Sequence, residues 1–264
     1  MPEAQVGDVK IHYTDIGEGD PLLLIMGFGM PGDAWLGVLP FLDGFHAIYF
    51  DNRGTGQSEK PEGPYTIPQM ADDAAGILDH LKIEPAHVYG VSMGGMIAQE
   101  YALAYGSDLR SATFGCTYAA PGPFCSRMFA MWGDMAPVLG VPFIMRDVTL
   151  WAFTVPFFEQ RGGELAEFEQ AMRYLDMPVH AYLAQLAVIQ EHDTTARLGQ
   201  VSTPTLVLAG EQDILIPVSM SRRLQEGIAG AEFATTPGGH ACLWEHPAEF
   251  NQAFLAFIKR HGRG

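Results

Sequence analysis

Positive charge is scarce in this chain. Its 264 residues carry 15 Lys and Arg against 31 Asp and Glu, a formal net charge of −16 at pH 7. The basic residues form no cluster, which argues against nucleic acid or an anionic membrane surface as a partner. Cysteine is sparser still, with three residues. Cys116, Cys125 and Cys242 cannot all pair and include no C-x-x-C, so free thiols are expected and zinc or iron–sulfur chemistry is not indicated. No apolar run approaches membrane-spanning length, and no basic stretch leads into an apolar segment at the N-terminus. The corresponding expectation is a cytoplasmic chain, or one whose leader has been removed. There is no internal repeat, low-complexity tract or extended linker. What is present is 48% hydrophobic and 17% charged, the composition of a well-packed globular protein. The length fits one large α/β domain, or a core with an insertion.

Apolar runs and helical patterns alternate along the chain. Residues 4–16 place Val9, Ile11 and Tyr13 against Asp8, Lys10 and His12, which predicts a hairpin-like start with His12 on its wet face. Residues 21–26, 46–50, 86–89 and 204–209 are short, solid apolar runs, as expected of strands buried on both faces of a mainly parallel sheet. Further strands are expected over 109–116 and 231–236. Helices are predicted over 34–42, 66–81 (capped by Thr66, with Pro68 in the first turn), 95–105, 218–228 and 248–259. This alternation implies a doubly wound, mostly parallel sheet, whose ligands bind beyond the C-terminal ends of its strands.

The sequence Gly90-Val91-Ser92-Met93-Gly94 joins one of those strands directly to a helix. Ser92 therefore occupies a sharp, strained corner, possible only with nearly side-chain-free neighbours two residues either side. The corner lifts the hydroxyl above the sheet and aims the Met93 N–H at any oxyanion formed there. This is the G-x-S-x-G nucleophile elbow. Serine needs a base to take its proton and a third group to orient that base. Of nine histidines, only His240 follows a strand, sits in a glycine-cushioned loop and lies downstream of a suitable acid. His246, in an entry turn, is the weaker alternative, while His46, His87, His180 and His192 read as strand-edge, cap or surface residues. The acid is expected at Asp213, in the loop after strand 204–209, with Glu211 as a nearby alternative. The other position open to an acid holds Cys116-Thr117-Tyr118, without a carboxylate. The loop Gly27-Phe28-Gly29-Met30-Pro31-Gly32 should supply the second oxyanion donor, the Phe28 N–H, paired with that of Met93. Asp51 and Arg53, in the polar turn 51–58, read as turn braces.

From about 119 to 193 the character changes. Six of the 13 methionines fall here with many aromatics, and prolines at 121, 123, 137, 142, 156 and 178 divide the stretch into short helices. The reading is a helical cap over residues 119–193, inserted in a core formed by 1–118 and 194–264. A small helical layer cannot bury all these apolar side chains internally, so some should line a pocket. Trp35 from the core and Met128, Trp132, Phe143, Trp151 and Phe157 from the cap are the candidates.

These motifs resemble the α/β-hydrolase superfamily over essentially the whole chain. Asp51-Asn52-Arg53-Gly54-Thr55-Gly56-Gln57-Ser58 looks like its D-x-R-G-x-G-x-S turn, and the order Ser92, Asp213, His240 is its order of nucleophile, acid and base. Met26-Gly27 stands where many relatives carry His-Gly. Gly63-Pro64-Tyr65-Thr66-Ile67 and Ser92-Met93-Gly94-Gly95-Met96 look more narrowly like 3-oxoadipate enol-lactonases and related small esterases and lactonases. The resemblance implies a capped α/β-hydrolase fold, no cofactor, and hydrolysis of a small ester or lactone, acyl-homoserine lactones being one candidate group. Enol-lactonase, carbon–carbon bond hydrolase and perhydrolase activities use the same triad. Haloalkane dehalogenases and epoxide hydrolases place Asp where this chain has Ser92. A non-catalytic small-ligand receptor on the same fold is the alternative from another class.

Overall fold

The computed structural model describes residues 2–261. Eight strands form one sheet: β1 (Glu3–Val6), β2 (Val9–Ile16), β3 (Asp20–Ile25), β4 (Phe45–Phe50), β5 (Ala86–Val91), β6 (Leu109–Gly115), β7 (Thr205–Gly210) and β8 (Glu232–Thr236), in the spatial order β1-β2-β4-β3-β5-β6-β7-β8. The pairs β1–β2 and β2–β4 are antiparallel, and every later pair is parallel. The chain passes from β3 to β4 on one side and then returns to place β5 on the other side of β3. The loops leaving β3 and β5 therefore diverge at their C-terminal ends, and such a topological switch opens a crevice.

The central strands are buried on both faces, which is why they read as unbroken apolar runs. Tyr89 of β5 stacks on Phe250 and Phe254 at 5.8 and 4.6 Å between ring centroids. Both rings come from α10 (Pro247–His261), which covers that face. On the opposite face Gly90 lies against α2 (Met93–Ala104), and α1 (Ile67–Leu81) packs beside α2. The start of α1 is as expected: Thr66 accepts a hydrogen bond from the Gln69 N–H at 3.1 Å, and Pro68 lies in the first turn. Between β6 and β7 run α3 (Pro123–Leu139), α4 (Val141–Ala152), α5 (Val155–Gln160), α6 (Gly162–Met172) and α7 (Val179–Glu191). The chain continues with α8 (Val218–Glu226) after β7 and α9 (Cys242–Glu245) after β8. Among the described residues no helix is long and apolar enough to cross a membrane.

Two expectations fail here. The helix foreseen over 34–42 is two short 3-10 turns, Gly32–Trp35 and Leu39–Phe41. Pro40 supplies no N–H and its ring obstructs a preceding helical turn. His12, His87 and His192 are buried instead of lying at the surface or an edge. His87 packs inside the sheet with Nδ1 2.8 Å from Ser111 Oγ, and burial holds its pKa down at about 4. Burial likewise lowers His192 to about 4. An imidazole that stays neutral can occupy a strand interior, and hydrophobic patterning does not distinguish it from an exposed one.

Candidate active site

Ser92 sits between β5 and α2 with φ +57° and ψ −121°, a backbone conformation that side-chain-bearing residues rarely adopt. Steric closure makes the corner. A Cβ on Gly90 would lie 2.0 Å from the Gly94 carbonyl oxygen, and one on Gly94 would lie 2.1 Å from that of Ile25. Neither position admits a side chain, which is the physical content of the G-x-S-x-G spacing. The Ser92 N–H donates to Gly115 O at 2.8 Å and fixes the corner to the next strand.

Two loops at the C-terminal ends of β7 and β8 bring His240 to this serine. They are joined by Glu211 N–H to Thr236 O and Gln212 N–H to Gly238 O, both 2.9 Å. Nε2 of His240 lies 3.0 Å from Ser92 Oγ, and its Nδ1 lies 2.8 Å from Asp213 Oδ2. A carboxylate only accepts, so Nδ1 carries the proton and Nε2 is left to accept from the serine O–H. Asp213 is fully buried, and its second oxygen accepts the Ile216 N–H at 2.7 Å. Burial alone would lower the His240 pKa. The Asp213 charge and hydrogen bond outweigh it, and the net shift is upward. Glu211 is exposed and meets Thr235 Oγ1 at 3.1 Å, while His246 occupies the turn between α9 and α10.

The β3 loop forms the opposite wall. A Cβ on Gly27 would lie 3.0 Å from Ser92 Cβ, so the loop passes directly over the serine. Among the described residues the Phe28 N–H has no hydrogen-bond acceptor, and the Met93 N–H lies in the first turn of α2, where no intrahelical acceptor exists. The loop is pinned from three sides. Asn52 Nδ2 donates to Met26 O at 2.9 Å, the Gly32 N–H donates to Asp51 Oδ1 at 2.6 Å, and the Gly29 N–H donates to Gln185 Oε1 at 3.0 Å. Gln185 also donates to Arg53 O at 2.8 Å, so α7 is tied to both loops. Sequence reasoning missed Gln185, although a lone amide on an otherwise apolar helical stretch was the available signal. Arg53 is buried in a bidentate pair with Asp73, at 2.6 and 2.7 Å.

Above Ser92 lies an apolar cavity of about 80 Å³. Met26, Phe28, Val91 and Cys116 line its floor, Phe129, Trp132, Met145, Val148 and Phe153 its roof, and Leu215, Ile216, Leu243 and Trp244 its side. Contact with the Cys242 thiol at 3.4 Å, together with burial, pushes the Cys116 thiol well up, so Cys116 is wall material. Of the six side chains expected at the pocket, only Trp132 lines it. Trp35 is buried under the sheet, 5.3 Å from the Tyr89 ring. Met128 is buried on α3 beside the cavity-facing Phe129. Phe143 is exposed on α4, and Trp151 donates to Asp147 Oδ2 at 3.3 Å. Phe157 is sandwiched between Phe153, at 4.8 Å, and the Arg161 guanidinium, at 4.7 Å. The α3 and α4 faces that point inward were set by how the helices dock, and their all-round apolar character hid that choice.

A model of the alpha/beta hydrolase fold matches residues 20–247. The chain belongs to the α/β-hydrolase family. A protein named RutD carbamate hydrolase from Azorhizobium caulinodans is 32% identical to this α/β hydrolase, over 97% of the chain and 98% of the relative. The crystal structure of the enol-lactonase from Burkholderia xenovorans superposes with a TM-score of 0.90 at 26% identity, covering 98% of this chain and all of that one. An N-acyl homoserine lactone degrading enzyme superposes with a TM-score of 0.84 at 29% identity, covering 97% and 100%.

One further residue of this α/β hydrolase links its helical layer to the histidine. Glu245 accepts the Gly239 N–H at 2.9 Å with one oxygen and the Thr154 hydroxyl at 2.5 Å with the other. The Ala241 N–H donates to Ala152 O at 2.9 Å across the same seam. The α4–α5 junction thus clamps the loop on both sides of His240. Glu245→Ala leaves the buried Gly239 N–H without an acceptor and frees that loop. It is expected to lower kcat about tenfold with KM within about twofold, and Glu245→Gln is expected to recover most of the loss. Steady-state kinetics on any turned-over ester, read beside thermal unfolding, checks this.

Proposed function

We propose that this α/β hydrolase is a serine-dependent carboxylic-ester hydrolase acting on small, uncharged, apolar esters or lactones. The observation that carries the reading is the unbroken path Asp213–His240–Ser92, opening into an apolar cavity beside two backbone N–H groups that have no acceptor among the described residues. His240 takes the Ser92 proton as Oγ attacks the carbonyl. The Phe28 and Met93 N–H groups hold the oxyanion. His240 then protonates the leaving alkoxide and next activates water against the acyl-enzyme, with Asp213 stabilising each imidazolium.

Cavity size and polarity support the substrate class. About 80 Å³, at roughly 10–15 Å³ per water-sized atom, holds on the order of five to eight heavy atoms. Among the described residues no Lys or Arg lines the wall, which favours an uncharged substrate over one that keeps a free carboxylate, as the enol-lactone of 3-oxoadipate does. A small carbamate is the second reading, favoured by the 32% identical relative, and needs the same acyl chemistry. The panel that separates these contains acetate to octanoate esters, lactones of several ring sizes and simple carbamates, read by pH-stat. Labelling by a fluorophosphonate separates both enzymatic readings from a non-catalytic receptor. Because Asp213 raises the His240 pKa, kcat/KM is expected to fall on the acid side through an apparent pKa above the ordinary imidazole value of 6.5. An acid limb centred below that value would contradict the assignment of the base.

A further inference from the structure

Outside the catalytic cavity, against the α4–α5 junction, lies a second apolar space of about 460 Å³. Leu150, Val155 and Pro156 form one bank and Gln212 and Ile214 the other. Leu150, Val155 and Ile214 are 60%, 68% and 54% exposed, three large aliphatic side chains turned toward one groove with nothing covering them. Phe153 is the one residue, among those described, that lines both the groove and the cavity. On the other bank Ile214 faces the groove while the next two residues, Leu215 and Ile216, face the cavity. The wall between the two spaces is therefore one aromatic ring and one turn of loop.

Position relative to the relay decides what would lie there. In the proposed acyl transfer the carbonyl oxygen points at the Phe28 and Met93 N–H groups, and the alcohol oxygen must face His240 Nε2 to receive its proton. The groove opens on that histidine's side. Gln212 and Ile214 flank Asp213, which holds the far edge of the imidazole, and Thr154 is bound through Glu245 to the residue before His240. Resting on the esterase reading above, we propose that this groove is the alcohol subsite, taking the alkyl chain of an ester whose alcohol outgrows the inner cavity. The chain leaves the cavity past Phe153 and lies along Leu150, Val155 and Ile214. The inner cavity keeps the acyl group.

The test compares two ester series in the intact protein: acetates of methyl to octyl alcohol, and methyl esters of acetic to octanoic acid. In the unmodified protein kcat/KM is expected to rise with alcohol length beyond butyl. Leu150→Glu and Val155→Glu, both at exposed positions, are each expected to reduce the octyl-over-methyl preference in the acetate series about tenfold, equivalent to roughly two methylene groups returned to water. Val138→Glu, equally solvent-facing on α3 and away from the groove, is expected to keep that preference. An octyl-over-methyl ratio unmoved by either groove variant would overturn the proposal. So would a change confined to the acid series, which would make the groove an acyl site. A concentration-dependent dimer that Val155→Glu dissolves, with the ratio unmoved, would overturn it in favour of a contact between copies. A protein that hydrolyses no ester and takes no fluorophosphonate overturns the esterase reading itself, and this subsite with it.

Discussion

Ser92→Ala is expected to lower kcat/KM for p-nitrophenyl acetate by about 10⁴-fold or more, and to abolish fluorophosphonate labelling. Under the proposed mechanism the loss is large because the oxygen that would form the acyl-enzyme is gone, while the proposed oxyanion donors and the cavity remain to give a small residual rate. The fold should be unaffected. Ser92 has φ +57°, and alanine is strained there as serine is, so the unfolding transition should move by only a few degrees. Ser92→Gly separates strain from chemistry. It should be as inactive as the alanine variant yet more stable than the parent by about 1 kcal/mol, because glycine adopts this conformation without the Cβ clash. Ser92→Ala protein retaining a tenth of the parental rate would remove Ser92 from the reaction.

Asp213→Asn is expected to reduce kcat/KM by roughly 10⁴-fold through a different cause. An amide nitrogen facing Nδ1 donates where the carboxylate accepted. The imidazole is then driven to carry its proton on Nε2, where it can no longer accept from Ser92. The amide oxygen can still accept the Ile216 N–H, so the loop keeps its anchor. The variant also has a signature in pH. Burial depresses the His240 pKa, and the Asp213 charge and hydrogen bond raise it past the ordinary value. With the charge removed, burial prevails, and the acid limb of the residual activity should shift to lower pH than in the parent. A limb that stays in place would show that Asp213 does not set the base.

Glu245 and Gln185 mark where local reading stopped. Both bridge elements far apart in the chain, Glu245 from α9 to the α4–α5 junction and Gln185 from α7 to the β3 loop. A bridge of that kind has no spacing to recognise, because its partners adjoin only after the helices have docked. Asp51 was legible as a brace, since the turn residue whose N–H it accepts, Gln57, lies six positions away. His87 was misread for a related reason. Its neutrality comes from surroundings supplied by Ser111 of β6 and Phe45 of β4, and the six residues of its own strand do not reveal it.

The order of strands and helices, the strained corner at Ser92 and the succession of serine, acid and histidine were determined by sequence, since each depends on contacts within a few residues or on strand ends that a parallel sheet aligns. Which side chains line the cavity was decided by tertiary structure. Helices α3 and α4 are apolar on most sides, and the rotation at which each one settles selected Phe129, Trp132 and Met145 over Met128, Phe143 and Trp151. That rotation minimises exposed area summed over many neighbours at once, and no window along the chain contains that sum.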